Sequence, residues 1–210
     1  MSENGHRQAL ANAARTLARR HEGVFGLETI ERYLIESYDL LAARATVDTY
    51  LPLLAERFAG QRLRSLARLE GAAVSEVPEI LFLCVHNAGR SVAAAILTEH
   101  HGGGRVRVTS AGSEPGIGIN PVVAEVLRER GLDPDREFPK PLTEEAARAA
   151  DVIVTMGCGD ACPIYPGKRY LDWDLTDPAG RNVDEVRPIV DEIEQRVLAL
   201  LDDLVPAATA

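Results

Sequence analysis

No apolar run in the chain approaches the length needed to cross a membrane, about 20 consecutive apolar residues. The N-terminus, Met1-Ser-Glu-Asn-Gly-His6, lacks the hydrophobic core of a secretion signal. A cytoplasmic protein is therefore expected. Cysteine is scarce. The three present, Cys84, Cys158 and Cys162, are an odd number, which argues against a static disulfide framework and for redox or nucleophilic work. Their spacing argues against zinc, which takes two close Cys pairs or a Cys pair with a paired His motif. His100 and His101 are adjacent and diverge on a helix. Basic charge is also lacking, since the formal net charge over 210 residues is −9. Residues 1–75 carry ten Arg against nine Asp and Glu, so the deficit belongs to the remainder. So acidic a region does not look like a nucleic-acid binder. Any anion it captures must be held by local dipoles and guanidinium groups rather than by the overall field. Internal repeats and low-complexity segments are missing too. What remains, 46% hydrophobic and 26% charged residues, describes a soluble globular protein with a sizeable core.

The first 75 residues read as three amphipathic helices. Leu10, Ala14, Leu17 and Ala18 share a face over residues 7–21, and Gly23 and Gly26 end that pattern. Ile30, Tyr33, Leu34, Tyr38 and Leu41 follow at helical spacing, then Leu51, Leu54, Phe58, Leu63 and Leu66. Asp48 or Thr49 is placed to cap the third helix, with Pro52 in its first turn. Gly60 weakens the case for an unbroken helix there. A small all-α bundle is expected over 1–75, with a structural or homodimerising role. Arg57, Arg62, Arg64 and Arg68 give the third helix a basic side. It reads as a solvated face, because Glu56 and Glu70 dilute it and no helix-turn-helix signature is evident. Residues 71–78 read as a linker, and 76–210 as the second domain.

From Pro78 onward strands and helices alternate. Strands are expected at Ile80–Leu83, Val106–Gly112, Asp151–Met156 and Tyr170–Trp173. Helices are expected at Val92–His101, at Pro121–Arg130 with Asn120 as cap, after Thr143 as cap, and from Asp184 to Leu204. This alternation implies an α/β domain with a four-stranded parallel sheet flanked by helices. Ligands of such sheets sit at the carboxyl ends of the strands.

The chemistry concentrates where the first strand ends. Cys84-Val-His-Asn-Ala-Gly-Arg-Ser91 is a loop with a thiol at its start, a guanidinium at its end and a helix behind it. A loop over a helix N-terminus aims backbone N–H groups at one point, and the helix dipole adds positive charge there. Arg90 offers a bidentate fork to a tetrahedral oxyanion. The same field favours a Cys84 thiolate, a nucleophile facing the bound ion. Gly89 keeps the loop clear, Asn87 can hydrogen-bond across it, and Ser91 can donate to the Cys84 sulfur. His86 shapes the loop. No resident metal or cofactor is called for.

This loop resembles the phosphate-binding loop of the low-molecular-weight protein tyrosine phosphatase fold. Within that fold Cys-Val-His-Asn-Ala-Gly-Arg-Ser resembles the arsenate reductase branch more than the phosphatases. The resemblance covers residues 78–204, and similar helical extensions precede this domain in some relatives. It implies that residues 85–91 (Val85, His86, Asn87, Ala88, Gly89, Arg90 and Ser91) bind arsenate, with phosphate or sulfate as mimics. It further implies a relay in which Cys84 attacks arsenate, Cys158 attacks Cys84, and Cys162 attacks Cys158. The final disulfide is handed to thioredoxin as external reductant. Asp177, in Asp177-Pro178-Ala179-Gly180, takes the family's general-acid position. Ala179 and Gly180 stand where phosphatases carry aromatic residues, which suits a small inorganic ion. Two alternatives stay open here: a low-molecular-weight phosphatase, and a reductase recycled by a low-molecular-weight thiol.

Overall fold

A computed structural model describes residues 3–72, 77–157 and 164–206. In chain order the elements are α1 (Glu3–Arg20), α2 (Leu27–Ala42), α3 (Leu51–Leu69), β1 (Glu79–Cys84), α4 (Arg90–Gly102), β2 (Arg107–Gly112), α5 (Pro121–Glu129), α6 (Glu144–Ala149), β3 (Val152–Thr155), β4 (Arg169–Asp172) and α7 (Val183–Leu204). Contacts divide the chain into two units: Met1–Val74 with Thr143–Ala149, and Ser75–Leu142 with Ala150–Ala210. No helix among the described residues is long and apolar enough to cross a membrane.

In the first unit Ala13, Ala14, Leu17, Ile30, Tyr33, Leu34, Ala55, Ala59 and Leu63 form the core. α3 runs unbroken through Gly60, where an added Cβ would lie 3.4 Å from Leu17 Cδ2. The small residue thus admits the neighbouring helix instead of ending its own. The expected cap is corrected. Residue Tyr50 stands at the start of α3 without a side-chain cap bond, and the Leu51 amide donates to the Asp48 carbonyl at 3.1 Å. A main-chain turn does the work assigned to an Asp or Thr side chain. Thr143 likewise gives α6 its carbonyl, which accepts from the Ala147 amide at 3.2 Å, while its hydroxyl is buried without a hydrogen-bond partner.

Arg62 is also corrected. It is 8% exposed, not part of a solvated face. Its guanidinium donates to Glu36 at 3.0 Å, to Ser37 at 3.3 Å and to Glu145. It also lies over the Tyr33 ring, 4.6 Å from its centroid. Arg68 donates to the Ala149 carbonyl at 2.6 Å. The short α6, 83 residues beyond Arg62 at Glu145 and 81 beyond Arg68 at Ala149, supplies acceptors that no local pattern announces.

In the second unit four strands pair in parallel in the order β2-β1-β3-β4. β1 is interior, so both its faces must be apolar, and Ile80, Leu81, Phe82 and Leu83 are all at most 2% exposed. Ile80 and Phe82 share one core with Val92, Leu97, Val186 and Val197. The Trp173 ring stands 5.6 Å from that of Phe82. α5 begins as its sequence directs: the Asn120 side chain accepts from Val122 and Val123, and Pro121 takes the first position. α7 opens with a capping box between Asn182 and Glu185. The register pairs Cys84 with Gly112 on one side and Thr155 with Asp172 two strands away. The chain therefore leaves β1, β3 and β4 at the same edge.

Candidate active site

Cys84 closes β1 and is 2% exposed. Its sulfur stands 3.0 Å from Ser91 Oγ and accepts from the Asn87 amide at 3.2 Å. Asn87 is fully buried and carries φ 45°, positive as in no other non-glycine residue described. Such a conformation is held only where its surroundings over-determine it, and here its side chain makes three bonds. Asn87 Oδ1 accepts from the Lys140 amide at 3.0 Å. An N–H can only donate, so the side-chain amide is fixed in orientation. Its Nδ2 then donates to Ser91 Oγ and to Ser110 Oγ, each at 2.9 Å. Ser91, already an acceptor, is free to aim its own hydrogen at the sulfur.

The loop after Cys84 hangs from a second segment. The Val85 carbonyl accepts from Glu114 at 2.8 Å, that of His86 from Gly116 at 2.8 Å, and that of Ala88 from Asn120 at 2.7 Å. The His86 ring lies 3.1 Å from the Glu114 carbonyl. Carbonyls are thus drawn outward, leaving amide donors and the α4 dipole to meet an anion. Gly112 makes this approach possible: a Cβ there would sit 2.6 Å from the Val85 oxygen.

Arg90 begins α4. Its Nη2 donates to Asp177 Oδ2 at 2.8 Å and its Nη1 to the Leu175 carbonyl at 3.3 Å. Asp177 Oδ1 accepts from the Ala179 amide at 2.9 Å, which fixes the turn it stands on. Pro178 rests on the loop where Gly89 has no side chain, since a Cβ would lie 2.8 Å from its Cγ. Asn120 Nδ2 reaches the Pro178 carbonyl at 3.5 Å. Cys84, His86, Gly89, Arg90, Asp177 and Ala179 are among the residues lining a pocket of about 50 Å³. Among the described residues no Phe, Tyr or Trp lines it. The arrangement can hold one small tetrahedral oxyanion against a thiol, with a guanidinium and a carboxyl at its mouth.

Cys158 and Cys162 lie outside the described residues. Gly157, the last residue before them that is described, has φ +75°, and a Cβ on it would fall 2.8 Å from Arg90 Nη1. The turn that follows β3 therefore abuts the guanidinium. Among the described residues no group of three or more His, Cys, Asp or Glu could hold a metal ion. The sequence reading overlooked Lys140, Ser110 and Glu137, saw Gly157 only as part of the glycine-containing stretch around Cys158, and saw Asn120 only as a cap. A buried lysine is rare enough that no pattern would have marked Lys140. Gly157, in Gly157-Cys158-Gly159, carried a signal in its place beside a thiol.

Two family models match the chain: the low molecular weight phosphotyrosine protein phosphatase family over residues 79–208, and a protein-tyrosine-phosphatase-like N-terminal domain over residues 10–67. Among solved structures, the thioredoxin-dependent arsenate reductase of Corynebacterium glutamicum is 49% identical. The likeness covers 95% of this chain and 98% of that one, with a TM-score of 0.84. Arsenate reductase 2 of Staphylococcus saprophyticus is 31% identical over 128 residues, 59% of this chain and 96% of its own length. A glutaredoxin arsenate reductase from Synechocystis is 28% identical over 126 residues, 59% of this chain and 95% of its own length.

Proposed function

The chain belongs to the low molecular weight phosphotyrosine protein phosphatase family, and on that basis we propose that it reduces arsenate to arsenite with electrons from thioredoxin. The observation that carries this reading is the likeness to the Corynebacterium glutamicum reductase, which runs through nearly the whole of both chains. The helices of residues 1–75 and the catalytic part of residues 76–210 are included in it. The other two relatives match only about three fifths of the chain.

Arsenate enters the loop of residues 85–91 and displaces Asp177 from Arg90. The Cys84 thiolate attacks arsenic. One As–O bond breaks, and Asp177, freed from Arg90, acts as the general acid that passes a proton to the leaving oxygen, which departs as water. Cys158 then attacks the Cys84 sulfur. An S–S bond forms, the S–As bond breaks, and its electron pair stays on arsenic, which leaves as arsenite two electrons richer. Cys162 attacks Cys158, forming the Cys158–Cys162 disulfide and returning Cys84 as a thiolate that accepts from Ser91 and the Asn87 amide. A thioredoxin dithiol reduces that disulfide and is itself oxidised, so each arsenate consumes one dithiol.

Two features support this reading against its rivals. A pocket of about 50 Å³ walled by Ala179 and without an aromatic ring suits arsenate, phosphate or sulfate better than an aryl phosphate. The second and third thiols would be idle in an enzyme recycled by a low-molecular-weight thiol. Thioredoxin is the external reductant, no cofactor is bound, and the setting is the cytoplasm. α2 and α3 expose Leu27, Ile35 and Leu53, which supports a homodimer formed through these helices.

The test is arsenate-dependent NADPH oxidation with thioredoxin and thioredoxin reductase, on wild type and on Cys84→Ser, Cys158→Ser and Cys162→Ser. Turnover by wild type with loss in all three supports the relay. Turnover by Cys162→Ser removes the last step and favours a small thiol. A silent wild type that cleaves an aryl phosphate replaces the reductase by a phosphatase.

A further inference from the structure

The turn that carries Asp177 is held by bonds of two kinds. Within it, the Ala179 amide donates to Asp177 Oδ1 at 2.9 Å, the Arg181 amide to the Pro178 carbonyl at 3.3 Å, and Arg181 Nε to the Asp177 carbonyl at 2.8 Å. These bonds shape the turn and travel with it. Two side chains from earlier in the chain tie it down. Arg90 donates to Asp177 Oδ2 at 2.8 Å and to the Leu175 carbonyl at 3.3 Å, and Asn120 Nδ2 donates to the Pro178 carbonyl at 3.5 Å. An arriving oxyanion must break the pairing of Arg90 with Asp177, because it takes the same guanidinium. The tie to Asn120 is neutral and involves no group that the anion claims.

We infer that Asn120 is a positioning residue for Asp177: its side-chain amide keeps the Asp177-Pro178 turn over the pocket once the anion has drawn Arg90 away. This rests on the reading above, with an oxyanion at Arg90 and Asp177 as general acid. Asn120 is itself fixed. Its Oδ1 accepts from the Val122 and Val123 amides at 2.9 and 3.2 Å, which turns Nδ2 toward Pro178. Its main-chain amide donates to the Ala88 carbonyl at 2.7 Å. One rigid group therefore binds both the nucleophile loop and the acid turn, and it lines the pocket between them with Asp177. Capping α5 does not account for the nitrogen. Serine or aspartate caps a helix comparably, and neither places an N–H donor beyond the capping oxygen. The bond is long at 3.5 Å, and contacts of this kind tighten when a substrate closes a site.

The experiment is hydrogen–deuterium exchange, read by mass spectrometry on the peptide that contains Ala179 and Arg181, whose amides close the turn. Wild type and Asn120→Ser are compared, each free and saturated with phosphate. Serine keeps the cap and removes the amide nitrogen. With phosphate bound, these amides are expected to exchange about fivefold faster in Asn120→Ser, the worth of one net hydrogen bond. Without phosphate Arg90 still grips Asp177, and the difference should fall well below that. A difference of equal size in both states would make Asn120 a permanent brace of the fold and overturn the inference. Identical exchange in the two proteins overturns it as well. So does a wild type that binds no phosphate, since nothing would then compete for Arg90. Arsenate reduction does not enter, so a silent enzyme and a failed inference are separate results. In the turnover assay Asn120→Ser should lower kcat about fivefold, and lower it no further in an Asp177→Asn background. Equal losses in both backgrounds would detach Asn120 from Asp177. Should Asn120→Ser not fold, Asn120→Thr, which also caps, decides in its place.

Discussion

Gly157→Ala separates the two demands that one glycine meets. Its φ of +75° is costly for an L-residue, and the added Cβ would stand 2.8 Å from Arg90 Nη1. The first effect falls on stability, by about 1–2 kcal/mol. That corresponds to roughly 2–8 °C in melting temperature for a chain of this size. The second falls on the site. Because the guanidinium ends a flexible side chain, it moves aside at little cost, but it leaves the position from which it reaches Asp177 at 2.8 Å and would reach an oxyanion. Loss of one charge-assisted hydrogen bond, about 1.5–3 kcal/mol, predicts phosphate binding weaker by roughly 10- to 150-fold. The assay is calorimetric titration of the reduced protein with phosphate, alongside a thermal melt. Gly131→Ala is the control. Its φ of +73° imposes the same strain, and nothing lies within 4 Å of the new Cβ, so it should lower the melting temperature and leave phosphate affinity unchanged. Equal phosphate affinity in Gly157→Ala and wild type would refute the link between this backbone position and Arg90.

Other outcomes are equally specific. Asp177→Asn should lower arsenate turnover by about 100-fold, within the usual worth of a general acid, while phosphate binding is retained. Unchanged turnover would remove Asp177 from the chemistry. Arg62→Met leaves Glu145 without its buried partner and should destabilise the helical unit by about 3 kcal/mol in denaturant titration. Leu17→Ala, at a fully buried position against Gly60, should cost about 2–5 kcal/mol. Burial, reinforced by the Glu145 carboxylate, raises the Tyr33 hydroxyl above its ordinary value of 10.0. Tyr33 thus contributes stability that is whole below that value and is lost as pH rises through the folded one. Tyr33→Phe should flatten the alkaline limb of the stability profile measured from pH 9 to 12, and an unaltered limb would exclude Tyr33 as its source.

What could be read from the sequence was local in origin. β1 was legible because an interior parallel strand must be apolar on both faces, and four consecutive apolar residues say so. The Asn120 cap followed from one polar residue beside a proline. The loop from Cys84 to Ser91 was legible because thiol, guanidinium and hydroxyl fall within eight residues. What escaped depends on distant partners. Arg62 sits in a basic pattern that looks solvated, and its buried partner Glu145 lies 83 residues away. Arg90 and Asp177 meet across 87 residues, so nothing in either neighbourhood announces that they are paired before an anion arrives. Lys140 lies between two prolines in a segment without periodicity, and its interior place is set by Asn87 and Glu137.

The strand that carries the nucleophile is hydrogen-bonded on both sides, to β2 and to β3. Amides in the middle of such a sheet exchange with solvent deuterium only when the whole domain opens. Phe82 to Cys84 should therefore be among the slowest-exchanging positions of the second unit, and fraying of an edge strand will not expose the sulfur. Among the described residues Cys84 lines the pocket that admits the anion, and an oxidant such as peroxide reaches the sulfur through that mouth. A phosphate held in that mouth should then slow sulfinic acid formation at Cys84 as well as compete with arsenate, making the resting protein's resistance to over-oxidation a function of the surrounding phosphate concentration.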